Sequence, residues 1–213
     1  MKKCAPYLVL LCSLVVFALA TPLQASPGKN YSVKKIEADF VDTPQIAGGH
    51  AKRTAGKPGQ WMEIDVTFDR QDTAPDAPKF SGDLTFNYYI LLNNASLTKD
   101  GKPTLLTGTI TQTEAPISRG LHAAAFVTPQ TLAFYFEGKP PTTTQQAIID
   151  IGVTISNERG VVDPYTMKGK PGWWDSEAQP KSVVAGRVLA KDSTPFSALS
   201  WDYYLPAKTK SGN

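Results

Sequence analysis

His50 and His122 are the only histidines in the chain, so any imidazole-based catalysis or metal binding would have to use one of them. His50 sits in the loop sequence Gly48-Gly-His-Ala-Lys52. His122 sits in the apolar run Gly120-Leu-His-Ala-Ala-Ala-Phe-Val127. Neither has the companions that such chemistry needs: there is no Gly-x-Ser-x-Gly elbow, no His-Glu-x-x-His, no phosphate loop and no Gly-x-Gly-x-x-Gly. His122 reads instead as an imidazole on a sheet face, hydrogen-bonded to a neighbour. A glycosidase needs two carboxyl groups at a fixed spatial separation, which sequence does not display. The acidic residues Glu63, Asp65 and Asp69 alternate with apolar ones and so read as a solvated strand face, while Asp72 and Asp76 fall in a loop. Calcium held by Asp69, Asp72 and Asp76 would lack the central Gly and terminal Glu of an EF-hand loop. The remaining candidate is Trp173-Trp174-Asp175. Two adjacent loop indoles either stack on a sugar ring or plug and cover the end of the fold, and the second role is the stronger expectation.

Both cysteines, Cys4 and Cys12, lie in a leader-like N-terminus. There Lys2 and Lys3 precede an apolar run from Tyr7 to Ala20, followed by the small-residue end Thr21-Pro-Leu-Gln-Ala25. That pattern is a secretory signal peptide over residues 1–25, with cleavage expected before Ser26. The run is shorter than the about 20 residues of a membrane-spanning helix, so no integral membrane segment is expected after cleavage. The mature chain then has no thiol for a disulfide, a nucleophile or a metal. Losing Lys2 and Lys3 takes the formal charge from +3 to +1. A near-neutral chain with scattered basic residues is a poor match for nucleic acid.

The elements that must position these residues are strands. From Tyr31 onward, apolar and polar residues alternate with period two between clusters of Pro, Gly, Asn and Asp, and no stretch sustains helical spacing. In Trp61–Asp69, Met62, Ile64, Val66 and Phe68 share one face. The same pattern predicts strands near 33–41, 83–92, 105–113, 120–127, 131–136, 146–156, 182–189 and 197–204. Leu84–Leu92 turns apolar on both faces towards its end, as a strand covered on both sides does. Ala147, Ile149, Ile151, Val153 and Ile155 form a further inward row. Residues 70–82 and 163–181 read as long surface loops. Many short strands with rows this apolar imply two packed sheets, hence an all-β, two-sheet β-sandwich with elaborated loops, forming one domain over residues 26–213.

Several segments resemble a family of secreted, pilus-like proteins of verrucomicrobial bacteria. They are Trp61-x-x-Ile-x-Val-x-Phe68, Leu84-Thr-Phe-x-Tyr-Tyr-x-Leu-Leu92, Leu106-Thr-Gly108, His122, Pro129-x-x-Leu132, Trp173-Trp174, Leu189 and, most specifically, Thr194-Pro-Phe-x-x-Leu-x-Trp-Asp-x-Tyr204. The resemblance implies an immunoglobulin-like sandwich encoded with type IV pilus components. It transfers no catalytic residue. In the last motif, Phe196, Leu199 and Trp201 read as core bulk on a terminal strand. The chain departs from a true type IV pilin, whose long N-terminal hydrophobic helix survives cleavage.

Residues and resemblance together lead to the expectation of an exported, non-enzymatic β-sandwich without cofactor or metal. It would act by contact with other envelope or pilus proteins, in the periplasm, at the outer membrane or on the cell surface. The alternative is a carbohydrate-binding module that takes a glycan on Trp173 and Trp174.

Overall fold

A computed structural model describes residues 30–44, 59–72, 75–158, 160–200 and 202–208. The leader, the loop carrying His50, and Trp201 lie outside the described residues. Among the described residues nine strands form two sheets: β1 (Tyr31–Asp42), β2 (Gln60–Arg70), β3 (Leu84–Leu92), β4 (Thr104–Gln112), β5 (Ser118–Val127), β6 (Ile148–Asn157), β7 (Gly160–Thr166), β8 (Ser182–Ala185) and β9 (Leu189–Ala190). The first sheet has the order β1-β2-β5-β9 and the second β7-β6-β3-β4-β8. Every pairing is antiparallel except β4 with β8. The chain is thus the expected all-β two-sheet sandwich.

The core forms because the period-two rows of both sheets point at each other. From β2 come Met62, Ile64, Val66 and Phe68, all fully buried, and from β3 come Leu84, Phe86, Tyr88, Ile90 and Leu92. Ala123 and Ala125 of β5 are small where Tyr88 and Phe86 are large, and all four join the same cluster. Burying each large aliphatic side chain contributes about 1.5–3 kcal/mol.

Four sequence expectations need correction. Residues 131–136 are not a strand: Pro129–Tyr135 is a short helix, α1, in which Thr128 caps the Thr131 N–H and Pro129 occupies the first turn. The described residues of 197–204 are turns and bends in which Ser200 takes a positive φ of 49°; among them only Tyr204 makes a bridge, with His122. The predicted strand at 182–189 is split into β8 and β9 at Gly186, whose φ is +75°. Finally, β6 starts after a helical turn, α2 (Thr144–Ala147). Opposite β3 its register shifts so that Leu91 faces Asp150 and Leu92 faces Ile148. Ile149 is the extra residue of this bulge and is exposed, so the inward row is Ile148, Ile151, Val153 and Ile155.

The predicted loop 163–181 begins as β7, and its remainder crosses the outer face of the second sheet to reach β8 on the opposite edge. The described residues after β9 cross the outer face of the first sheet as far as Leu205, and 206–208 then bond to the edge of β4 in the second sheet. Both sheets are therefore covered from outside as well as from within.

Candidate functional site: the covered outer faces

The crossing segment on the second sheet, residues 167–181, is called the strap here. Its seat is made by odd-numbered β3 residues and their neighbours. Tyr89 and Leu91 face outward with Leu105 of β4, and Gly152 of β6 lies opposite Tyr89. Gly152 has no side chain at the point where Trp174 comes down: a Cβ there would stand 2.3 Å from the indole ring. Trp174 then stacks on Tyr89 with centroids 4.6 Å apart and planes 7° from parallel, and Trp173 packs edge-on against Trp174 at 5.7 Å. Trp173 is 9% exposed and Trp174 6%. The indoles thus lie beneath their own chain on the face of the sheet, and neither plugs the end of the sandwich.

A buried carboxylate fastens the start of the strap. The bulge at Ile149 turns Asp150 outward, where it accepts hydrogen bonds from the Thr166 hydroxyl at 2.7 Å, the Lys168 N–H at 3.0 Å and the Gly169 N–H at 2.9 Å. The Trp173 Nε1–H donates to the same Thr166 hydroxyl at 3.2 Å, so indole, hydroxyl and carboxylate form one chain. At the far end, the Lys181 ammonium donates to the carbonyls of Trp173, Ser176 and Gln179. Alternation along the inward row from Ala147 to Ile155 puts Asp150 on the opposite face but does not show the anchor. Neither the bulge nor the partners 16 to 19 residues away leave a local signal.

The segment on the first sheet, the described residues of 191–205, is fastened differently. Phe196 enters an apolar nest of Trp61, Ala124 and Phe126, stacking on Phe126 at 4.8 Å and meeting Trp61 edge-on at 5.7 Å. Leu199 is exposed, which corrects its expected place in the core. Further on the contacts become polar. His122 Nδ1 lies 3.0 Å from both carboxylate oxygens of Asp65, and Tyr203 stacks on the imidazole at 4.0 Å. The Tyr203 hydroxyl donates to Asp65 at 3.3 Å and the Tyr204 hydroxyl to Glu63 at 3.1 Å. The expected reading of His122 as a bonded sheet-face imidazole holds, whereas Glu63 and Asp65 are half-covered and not freely solvated. Asp69 is buried, accepts from the Gly120 N–H at 2.9 Å and lies 3.5 Å from the Lys34 ammonium.

Electrostatics sharpen this contrast. Across the β1–β2 ladder, Glu37 sits opposite Asp65 and Asp39 opposite Glu63, an unfavourable placement of like charges. Burial raises the Glu63 and Asp65 carboxyls above their ordinary values, outweighing the hydrogen bonds from Tyr204 and from His122 and Tyr203 that pull them down. Among the described residues no three His, Cys, Asp or Glu side chains are grouped to hold a metal, and Asp69, Asp72 and Asp76 are not brought together as one. Nor is any helix among them long and apolar enough to cross a membrane. The acid–histidine–tyrosine cluster can orient and exchange protons, and its two carboxylates also accept from Tyr203 and Tyr204 of the chain's own C-terminal segment.

No curated protein matches the chain. A crystal structure from Akkermansia muciniphila superposes with a TM-score of 0.71 over 85% of this chain and 94% of that one, at 20% identity, a likeness of fold. One protein-family model matches residues 22–211, and the chain belongs to that family.

Proposed function

We propose that this is an exported, non-enzymatic β-sandwich that works by contact with other proteins of the cell envelope or surface, in pilus assembly or a related structure. The observation that carries this reading is how the reactive and aromatic groups are used. His122, Asp65, Asp150, Trp173 and Trp174 are all committed to holding the two covering segments. Large apolar side chains, by contrast, are left outside: Phe134 on α1 is 76% exposed and Val183 on the edge strand β8 is 63% exposed. Such residues suit protein contact better than bond-making.

The strand order supports the immunoglobulin-like part of the reading. Sheets β1-β2-β5 and β7-β6-β3-β4 follow the A-B-E and G-F-C-C′ order of that class of sandwich. The leader pattern of residues 1–25 supports export.

Cross-linking in intact cells, followed by co-purification of the exported chain, tests the proposal. We expect defined envelope or pilus polypeptides to be captured by the native chain, and their capture to fall about tenfold in Phe134→Ser or Val183→Ser, whose positions are too exposed to affect folding. Capture unaffected by both changes, or a chain retained in the cytoplasm, would count against it.

A further inference from the structure

We propose that residues 204–208 are an exchangeable edge segment, through which two copies of this chain join by each laying it into the other. The proposal goes beyond the reading above, which places contact at Phe134 and Val183, and does not rest on it.

The segment closes the side of the sandwich between β5 and β4. On that side β9 covers β5 at Ala125 and Phe126, and β8 covers β4 from Thr104 to Thr107. Further along, Tyr204 bridges His122 of β5, and the Leu205 N–H donates to the His122 carbonyl at 3.0 Å. Ala207 then bridges Gln112 of β4. Around that bridge the Thr113 N–H donates to the Pro206 carbonyl at 3.0 Å and the Lys208 N–H to the Thr111 carbonyl at 2.8 Å. One short segment thus bonds to both sheets. Leu205 and Ala207, two positions apart, pack against the main core, while the Tyr204 hydroxyl reaches Glu63.

A strained turn leads into this segment. Ser200 holds a φ of 49°, a conformation that costs energy in a residue with a Cβ, and the Tyr203 and Tyr204 N–H groups bond back to its carbonyl. Extension at Ser200 relieves the strain and carries the segment outward. Upstream, Phe196 is anchored separately against Trp61 and Phe126, so the segment can leave while the start of the cover stays seated.

Once lifted, Leu205 and Ala207 need an apolar seat flanked by strand donors and acceptors in the same register. A second copy offers that seat. Exchange re-forms each of these contacts between chains, and the partner it selects is this chain itself.

Cysteine pairing tests this in the chain from Ser26 onward, which has no cysteine of its own. The bonding around Gln112 and Ala207 makes them a non-hydrogen-bonded pair, with Cα atoms about 4.5 Å apart and within disulfide reach. Gln112 also carries a buried Oε1 with no hydrogen-bond partner, which favours its replacement. The double variant Gln112→Cys/Ala207→Cys, oxidised at about 1 μM, should close within one chain. The single variants Gln112→Cys and Ala207→Cys, mixed at about 200 μM, should give a disulfide-linked heterodimer, identified by mass. Its yield should be at least about tenfold that obtained when Lys99→Cys, an exposed site beyond the opposite end of β4, replaces Gln112→Cys. The proposal is overturned if the mixed single variants do no better than the Lys99→Cys control. It is equally overturned if the double variant does not close, which would remove the segment from its place on β4.

Discussion

The strap over the second sheet and the C-terminal segment over the first do the same mechanical job with different chemistry. The strap is sealed by two indoles over a glycine and tied to one buried carboxylate by hydroxyl and backbone donors. The C-terminal segment has one apolar anchor, Phe196, and then rests two tyrosines on carboxylates and an imidazole. A seal of two indoles carries no ionising group, whereas a cover lying on half-buried carboxylates is coupled to their protonation. The first belongs to the permanent fold. The second is weaker and responds to its surroundings.

The largest expected effect comes from the strap. Trp174→Ala should destabilise by about 3–5 kcal/mol, the cost of deleting a buried aromatic and leaving the space above Gly152 unfilled. Denaturant melts measure it, and a loss below about 1 kcal/mol would show that the strap is not part of the cooperative unit. Asp150→Ala should cost about 2–3 kcal/mol by stranding the Lys168 and Gly169 N–H groups and the Thr166 hydroxyl. For Trp174→Ala, which removes no ionisable group, the slope of stability against pH should remain that of the native chain.

Smaller effects are expected on the first sheet. Tyr203→Ala should cost about 1 kcal/mol, since it removes a partly exposed ring from His122 and one hydrogen bond from Asp65. Asp65→Ala should cost a similar amount, because His122 and Tyr203 both lose their partner while a disfavoured charge opposite Glu37 is removed. The smallest effect carries the pH signature. The folded Glu63 and Asp65 hold their protons more tightly than the unfolded chain does, so their contribution to stability is complete below their ordinary values of 4.5 and 3.8. It is lost as pH rises through the raised ones. Melting temperature should therefore decline across that window in the native chain and decline less in Glu63→Gln, which keeps an acceptor for Tyr204 without the charge. An identical decline in the two would remove Glu63 from the account.

Particular residues show which parts of this were legible in sequence. Met62, Ile64, Val66 and Phe68 declared their face by strict alternation, and all four are fully buried. The double-sided apolar end of β3 declared a covered strand, and Leu91 lies under the strap. The Thr128-Pro129 cap is equally local, and it sets a helix start over residues whose alternation reads as a strand. What sequence did not disclose was non-local. The landing of Trp174 on Gly152 joins residues 22 apart in number, and the outward turn of Asp150 needs a bulge created by its pairing with β3. The tyrosines at 203 and 204 meet carboxylates on a strand well over a hundred residues earlier. Alternation assigns a residue to a face, but it does not say what will later be laid across that face.

The most direct test of the distinction between the two covers is amide hydrogen exchange read at pH 4.5, the ordinary value for Glu63, and at pH 7.5, corrected for intrinsic rates. The Lys168 and Gly169 amides, bonded to Asp150, should be protected to about the level of the β3 core at both values. The Tyr204 and Leu205 amides, bonded to the Ser200 and His122 carbonyls, should be less protected and should lose protection as pH rises, when Glu63 and Asp65 ionise beneath the segment. Equal and pH-independent protection of the two pairs would contradict the account.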